Sequence, residues 1–296
     1  MIPAQLIRLP NLGVLQATGA DRRTYLQGQL TADLTKQPQN QWSFAGHCDP
    51  KGKLIAAFRL AQLPEQILML MPQSLLQVDL PQLQKYAVFN QIELTDISAQ
   101  WQCFAVVGAE TSTLFASWQG EGNLRFHEQA QAWLEEQHAI VLIPHNQPLP
   151  AELAALPVAT ENHFVAAELQ AVRPWFEAEH SGEFVPQMLN LDAVGGVTYD
   201  KGCYIGQETV ARMYFRGGNK RALYLFETDA EASGELTMAV GDNWRRAGTI
   251  VSRAVVDQQQ WFTAVLPKEL PEQPEFKLGD RPAHLHPRPY PLMTRG

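Results

Sequence analysis

The chain has 296 residues, of which 45% are apolar and only 18% charged, a balance too apolar for a disordered protein. Its 31 acidic and 23 basic residues give a formal charge of −8, which argues against a protein that coats nucleic acid, because such proteins bind through Lys and Arg. Three cysteines at wide spacing exclude a disulfide-stapled secreted domain and a four-thiolate metal site. No apolar run approaches the roughly 18 residues of a membrane span, so we expect a soluble, cytoplasmic protein.

The order of predicted elements indicates an α+β fold in three parts. Residues 1–100 predict a mixed α/β unit, with strands over 14–18, 42–48, 54–60 and 67–71 and helices over 22–33 and 73–86, the second containing Pro81. Residues 101–219 predict a second mixed unit, with strands over 103–107 and 139–143 and helices over 110–118 and 161–172. Residues 220–296 predict short alternating strands and a Pro-rich tail, typical of an antiparallel β-barrel.

The most informative segment for chemistry is Tyr199-Asp200-Lys201-Gly202-Cys203-Tyr204-Ile205-Gly206-Gln207-Glu208. Glycines on both sides of Cys203 permit positive φ and close backbone approach. Lys201 and a helix predicted to start at Gln207 both place positive charge near the thiol, which favours the reactive thiolate. Two interpretations stay open: Cys203 is a reactive residue with Lys201 beside it, or it is a small buried hydrophobic residue, as free cysteines often are.

Two further groups of residues can carry function. The first is a basic cluster of four cations within ten residues, which predicts either a solvated face or a site for an anion: Arg212, Arg216, Lys220 and Arg221. The second is His47-Cys48-Asp49, where neighbouring side chains of a strand point to opposite faces and cannot close on one metal. We therefore expect no metal site.

The segment Lys201–Glu208 resembles the motif of the YgfZ family, folate-binding proteins related to the T-protein of the glycine cleavage system. Weaker similarities to that family occur in the expected order at 18–33, 47–53, 85–89, 212–221 and 248–252. The resemblance implies two α+β units and a C-terminal β-barrel around a folate-sized opening. It also implies that tetrahydrofolate or a related folate is bound, and that the protein maintains iron–sulfur enzymes, such as those that thiolate tRNA, through the motif cysteine.

The same resemblance predicts which residues contact folate, and it shows departures. Leu12 and Phe164 align with two tryptophans that line the folate opening, and Gln170 aligns with a pterin-binding glutamate. Tyr204, Gln207 and Arg216 complete the predicted contacts, with Arg216 on the folate tail. Ala56-Ala57 stands where the T-protein carries a catalytic carboxylate, so aminomethyl transfer by that mechanism is not expected.

Three functions therefore compete at this point. The first is a folate-binding protein that supports iron–sulfur cluster assembly or repair and thereby tRNA modification, with Cys203 as its key residue. The second is a folate-dependent aminomethyltransferase, and the third is a direct tRNA-binding module built on the basic cluster. We prefer the first and expect no direct nucleic-acid binding, because four charges are few for a tRNA footprint.

Overall fold

The predicted hairpin around Asp49 forms one edge of the first sheet. In a computed structural model, which describes residues 3–109 and 111–293, Asp49 Oδ1 accepts hydrogen bonds from the backbone N–H groups of Lys51 and Lys53, and Gly52 takes a φ of +76°. The five strands pair antiparallel in the order β3-β4-β5-β2-β6. Their bounds are β2 Leu12–Thr18, β3 Trp42–Cys48, β4 Leu54–Gln62, β5 Ile67–Pro72 and β6 Glu93–Asp96.

Two helices accompany this sheet, α1 (Arg22–Gln27) and α2 (Gln73–Lys85). The prediction of a helix over 22–33 was too long, because the chain leaves the helix after Gln27 and Thr31 hydrogen-bonds to Gly46 of β3 instead. Helix α2 continues through Pro81, as predicted.

The second sheet has six strands in the order β11-β1-β7-β10-β9-β8. Its β1 comes from the amino terminus and lies between β7, to which it is antiparallel, and β11, to which it is parallel. The strand bounds are β1 Gln5–Arg8, β7 Trp101–Val107, β8 Leu124–His127, β9 Ala130–Leu134, β10 His138–Pro144 and β11 Val158–Ala159. The strand β1 belongs to the first predicted unit by its position in the chain, but it pairs within the second sheet. The predicted division between the two units at residue 100 stays a prediction.

Three helices belong to this region: α3 (Thr111–Leu114), α4 (Ala151–Ala154) and α5 (Glu161–Gln170). The helix predicted over 110–118 shortens to α3, and Glu110 lies outside the described residues. Helix α5 packs on β7 and β1, and also on two strands of the third sheet, Thr249–Val256 and Gln259–Pro267. It therefore joins the second sheet to the third.

The third sheet contains seven strands in the order β14-β13-β17-β18-β12-β16-β15, all pairing antiparallel. A separate core fills it, in which Phe226 stacks on Phe262 with ring centroids 5.1 Å apart. Its strands are β12 Arg221–Asp229, β13 Leu236–Val240, β14 Asn243–Arg246, β15 Thr249–Val256, β16 Gln259–Pro267, β17 Phe276–Leu278 and β18 Arg281–His286. The α+β fold class with an antiparallel C-terminal unit is confirmed.

The chain between α5 and β12 links the second sheet to the third, and it contains two 3-10 helices, Ala178–His180 and Pro186–Leu189, followed by helix α6 (Gln207–Phe215). Another 3-10 helix, Ser98–Gln100, precedes β7. The largest apolar core is continuous, and it includes Leu15 of the first sheet, Ile140 of the second and Val265 of the third. No helix among the described residues is long and apolar enough to cross a membrane.

Candidate functional site around Cys203

The loop that carries Cys203 is anchored by Lys201, whose side chain is only 9% exposed. Its Nζ donates hydrogen bonds to the carbonyl oxygens of Gln27 (2.8 Å), Leu30 (2.7 Å) and Ala32 (2.8 Å), at and beyond the carboxyl end of α1. Burial lowers the pKa of Lys201 to about 8, and the Asp33 carboxylate opposes that shift. All three ammonium protons are used, so Lys201 ties the loop to α1; its predicted action on the Cys203 thiol stays a prediction.

Gly206 fixes the other end of the loop. It precedes α6 with a φ of +81°, and a Cβ at this position would lie 2.4 Å from the carbonyl oxygen of Asp49. Gly202 is different, because its backbone is outside the left-handed region and a Cβ there would meet nothing within 4 Å. The positive φ and close backbone approach that glycine permits are therefore used at Gly206 and not at Gly202.

The three cysteines differ sharply in accessibility. Cys203 is exposed, whereas Cys48 and Cys103 are buried. Burial raises the pKa of the Cys103 thiol to about 12, and burial followed by the charges of Asp49 and Asp79 raises the pKa of the Cys48 thiol further. Cys48 lies below the loop, with its Cβ 3.0 Å from where a Cβ of Gly206 would stand, but it is covered. Cys203 is therefore the accessible thiol, and the reading of Cys203 as a buried hydrophobic residue is wrong.

Helix α6 begins at Gln207, as predicted, and leads into the basic cluster. The four cations of this cluster are exposed and form no ion pair with any described residue: Arg212, Arg216, Lys220 and Arg221. Tyr214 stacks on Tyr199 with ring centroids 3.9 Å apart, while Phe215 is half exposed. The cluster is a free positive surface directly after the Cys203 loop, and Phe215 adds an apolar side chain to it.

A buried network of charges lies away from the loop and was missed by the sequence analysis. Arg59 contacts both Glu135 (Nε to Oε1, 2.9 Å) and Glu168 (Nη2 to Oε1, 2.6 Å), while Arg173 donates to Glu135 at 2.8 Å and His138 Nε2 lies 2.6 Å from Glu168 Oε1. Burial would raise the pKa of Glu135, but the charges of Arg59, His138 and Arg173 outweigh it and hold that pKa at about 2. These residues come from β4, the β9–β10 turn, the first position of β10, α5 and the loop after α5, so no local sequence pattern predicts that they meet.

Two carboxylates and an imidazole of this network have ligand atoms within 4.8 Å of one another. Arg59 and Arg173 already balance the two carboxylate charges, so the network is an ion-pair cluster that joins the first and second sheets. His47 has a different partner, because its Nδ1 lies 2.6 Å from Oδ1 of the buried Asp79.

A cleft of about 430 Å³ opens beside α5. It is lined by Gln5 and Val107 at the ends of β1 and β7, by Gln170 of α5, and by Val256 and Trp261 of the third sheet. No residue of 199–216 lines this cleft among those described, so Cys203 and the cleft are separate features.

Comparisons with known proteins show to which family the chain is related. The family of the YgfZ beta-barrel domain matches residues 219–281. The tRNA-modifying protein YgfZ of Vibrio vulnificus (strain YJ016) is 36% identical, with 96% of this chain and 91% of that protein covered. The protein of the same name from Photobacterium profundum is 35% identical over 94% of this chain and 88% of its own length. The chain belongs to the YgfZ family.

A solved structure extends the likeness to the whole fold. The glycine cleavage system aminomethyltransferase T from Bartonella henselae superposes with a TM-score of 0.69, covering 99% of this chain and 87% of that one, at 13% identity. The predicted T-protein-like arrangement with a C-terminal β-barrel is thereby confirmed as a fold. Within that fold this YgfZ-family chain buries Ala56 and Ala57 in β4, so both offer only methyl groups.

The residues predicted to contact folate are not brought together. Leu12 is 4% exposed and Phe164 1% exposed, and the Phe164 ring packs edge-on against Trp175 at 5.3 Å. In this structure they are core residues that a ring could reach only after neighbouring side chains move, so their contact with folate stays a prediction. Gln170, by contrast, is exposed and lines the cleft.

The motif residues predicted to contact folate lie elsewhere. Tyr204 is buried with its ring 5.1 Å from Lys201 Nζ, and burial followed by the nearby Cys48 raises its pKa. Gln207 is half-buried at the start of α6, and Arg216 is exposed just after the helix ends. Gln207 and Arg216 are accessible to a ligand from solvent, whereas Tyr204 is covered.

Proposed function

We propose that this chain binds a reduced folate and supports iron–sulfur enzymes that modify tRNA in the cytoplasm, with Cys203 as the working residue. The observation that carries this proposal is the contrast between one exposed thiol and two buried ones. The exposed thiol lies on a loop held at one end by Lys201 and at the other by Gly206. A loop fixed at both ends presents a reactive group in one position, which chemistry and transient ligation both require.

Membership of the YgfZ family supports the link to tRNA, because the similar proteins carry the name tRNA-modifying protein. The iron–sulfur part of the proposal follows from the family resemblance, and an exposed thiol suits it because thiolates are the usual ligands of such clusters. We assign the basic cluster to the anionic glutamate tail of the folate, since Arg216 and its neighbours carry no other partner among the described residues.

The two competing functions have weaker support. The methyl groups of Ala56 and Ala57 can neither orient an amine nor stabilise a developing positive charge, so we expect no aminomethyl transfer. Direct tRNA binding has the free basic cluster in its favour, but the chain as a whole carries a charge of −8. Electrophoretic mobility shifts with tRNA at rising salt decide this point, because phosphate binding through four cations must weaken steeply with salt and fail in Arg216→Glu.

The proposed function is tested by complementation in a bacterial strain that lacks its own YgfZ-family protein. Thiolated nucleosides of total tRNA are measured after expression of the wild type, Cys203→Ser or Cys103→Ala at matched protein levels. We expect Cys203→Ser to lose complementation and Cys103→Ala to retain it, since Cys103 is buried and plays no part in the site. Full complementation by Cys203→Ser would refute the proposed role of the thiol.

A further inference from the structure

An exposed apolar loop follows helix α2, and the proposed function makes no use of it. In this loop the side chain of Phe89 is 98% exposed, that of Val88 78% and that of Tyr86 45%. Large apolar side chains that stand together in solvent lose free energy of burial unless another molecule covers them, and such groups mark interaction surfaces. We refer to residues 86–89 as the apolar loop.

Hydrogen bonds and packing hold the backbone of the apolar loop. The backbone N–H of Ala87 donates to the carbonyl oxygen of Gln84 at 3.1 Å, and the backbone N–H of Asn90 donates to the carbonyl oxygen of Ala87 at 2.9 Å. Ala87 itself packs on the main core of the protein. Val88 and Phe89 are therefore presented to solvent by a hydrogen-bonded turn, so a partner that covers them has little further backbone to order.

Helix α1 connects the apolar loop to the Cys203 loop. At its amino end, Asp21 exchanges two hydrogen bonds, of 2.7 and 3.1 Å, with the backbone of Gln91, which follows the apolar loop. At its carboxyl end, the carbonyl oxygen of Gly28 accepts a hydrogen bond of 3.2 Å from the backbone N–H of Ile205. The helix has six residues and is therefore about 9 Å long. A typical interface of about 800 Å² per partner is roughly 30 Å across, so a partner seated on the apolar loop reaches the neighbourhood of the Cys203 loop.

The charges beside the apolar loop indicate which kind of partner fits it. Residues 77–91 contain two charged residues, Asp79 and Lys85. Asp79 is buried against His47, whereas Lys85 is exposed, with its Nζ 5.5 Å from the centre of the Tyr86 ring. The exposed part of this segment is therefore apolar and positive, although the whole chain has a formal charge of −8. Its complement is an apolar pocket with acidic side chains at the rim.

A second copy of the chain and a membrane fit this surface less well. In a two-fold dimer the positive apolar loop would meet its own copy, and both chains would carry a charge of −8. The three exposed side chains offer on the order of a few hundred Å², which is less than the roughly 800 Å² per partner of a stable interface. The negative charge also opposes binding to anionic lipid. The apolar loop therefore suits a brief contact with a different protein.

We propose that the apolar loop is a docking surface for the protein on which Cys203 acts, and that Val88 and Phe89 insert into an apolar pocket with an acidic rim on that protein. This inference rests on the proposed function, in which the partner is an iron–sulfur enzyme that modifies tRNA. Docking supplies what an exposed thiol lacks by itself, namely a surface that selects the partner before the thiol meets it.

Complementation of the strain that lacks its own YgfZ-family protein tests the docking surface, with thiolated nucleosides of total tRNA as the readout. Val88→Ser/Phe89→Ser removes the exposed apolar side chains, and Lys85→Glu reverses the charge beside them. The matched control is Val158→Ser/Trp244→Ser, because Val158 is 79% exposed on β11 and Trp244 is 40% exposed on β14. Circular dichroism confirms that each variant is folded.

We expect the loop double variant and Lys85→Glu to lower the thiolated nucleosides at least about threefold, with the control unchanged. In the purified double variant, Cys203 should react with 5,5′-dithiobis(2-nitrobenzoic acid) within about twofold of the wild-type rate. A much slower thiol would overturn the inference, because the loop would then act on Cys203 itself.

The outcome of complementation separates the docking surface from the proposed function. Full complementation by Val88→Ser/Phe89→Ser, with loss in Cys203→Ser, would overturn the docking inference and leave the proposed function standing. Loss in the double variant, with full complementation by Cys203→Ser, would support the docking surface and refute the role of the thiol.

Photocrosslinking in the same strain tests what covers the loop. The photoreactive residue p-benzoyl-L-phenylalanine is placed at position 89, or at position 244 as the control, while a tRNA-thiolating iron–sulfur enzyme of the strain carries an epitope tag. We expect a tagged crosslinked product from position 89 and none from position 244. A product of twice the mass of this chain, without the tag, would indicate a second copy and overturn the inference, as would the absence of any tagged product. Flotation of the wild type, but not of the double variant, with phosphatidylglycerol vesicles would indicate a membrane surface and overturn it as well.

Discussion

Gly52 and Gly206 pack against each other so closely that neither position has room for a side chain. A Cβ on Gly52 would lie 2.9 Å from the carbonyl oxygen of Gly206, and a Cβ on Gly206 would lie 2.9 Å from Cα of Gly52. Both residues have positive φ, +76° and +81°. The hairpin turn of the first sheet is therefore the platform on which the Cys203 loop rests, although the two are about 150 residues apart in the chain.

Replacing Gly206 with alanine is expected to destabilise the protein. The substitution adds a Cβ 2.4 Å from a backbone oxygen and forces alanine into the left-handed region, which together cost about 2 kcal/mol or more. Gly202→Ala is the matched control, since a Cβ there meets nothing within 4 Å. Urea denaturation measures both free energies of unfolding; equal values for the two variants would contradict the packing described.

Replacing Lys201 with methionine is expected to lower the free energy of unfolding by about 2–4 kcal/mol, because three carbonyl groups lose a charged donor. Lys36→Met serves as the control: Lys36 pairs with Asp200 at 2.7 Å on the open surface, where we expect little change. Both variants are compared by urea denaturation at pH 7. A Lys201→Met protein as stable as Lys36→Met would show that Lys201 does not anchor the loop.

Structural features that are determined by neighbouring residues could be predicted from the sequence, whereas contacts between distant residues could not. The turn at Asp49–Gly52 and the start of α6 at Gln207 were predicted correctly, because turn residues and helix periodicity lie within a few positions. The pairing of β1 with β7 and the contacts of Arg59 with Glu135 and Glu168 join residues far apart, and nothing near any of them in the chain signals the partner.

The candidate site divides in the same way. The residue types at Lys201 and Cys203 identified the loop, but the direction of the Lys201 side chain depends on α1 and the residues after it, about 170 positions earlier in the chain. The same limit applies to Phe164, whose residue type allows stacking on a ligand ring, whereas its burial is decided by His138 and Trp175. The cleft at Trp261 is formed by separate parts of the chain, and Gln170 is the one lining residue that the sequence analysis had named as a candidate.

Acid sensitivity is expected to depend on Glu135. Its pKa is lowered to about 2 in the folded protein from the ordinary value of 4.5, so its contribution is present above pH 4.5 and is lost as pH falls from 4.5 towards 2. That contribution amounts to about 3 kcal/mol. We expect Glu135→Gln to unfold more easily than the wild type at pH 7 and the difference to shrink below pH 3, followed by urea denaturation across pH. A difference that does not change with pH would contradict the ion-pair assignment.

The exposure of Phe89 on the surface of the first unit can be checked by its effect on stability. Its side chain is 98% exposed, so Phe89→Ser removes almost no buried area and should change the free energy of unfolding by less than about 0.5 kcal/mol. Phe115, which is fully buried, is the contrast: Phe115→Ala should cost about 3–5 kcal/mol. Thermal or urea denaturation separates the two, and a large loss in Phe89→Ser would mean that this side chain is covered.

The accessibility of the three thiols tests the central claim most directly. Reaction of the native, reduced protein with 5,5′-dithiobis(2-nitrobenzoic acid) is followed with time, for the wild type and for Cys203→Ser, before and after unfolding in urea. Because only Cys203 is exposed among the three, we expect one fast-reacting thiol in the native wild type, none in native Cys203→Ser, and three and two respectively after unfolding. A fast-reacting thiol that survives in native Cys203→Ser, or a native wild type without one, would contradict the account.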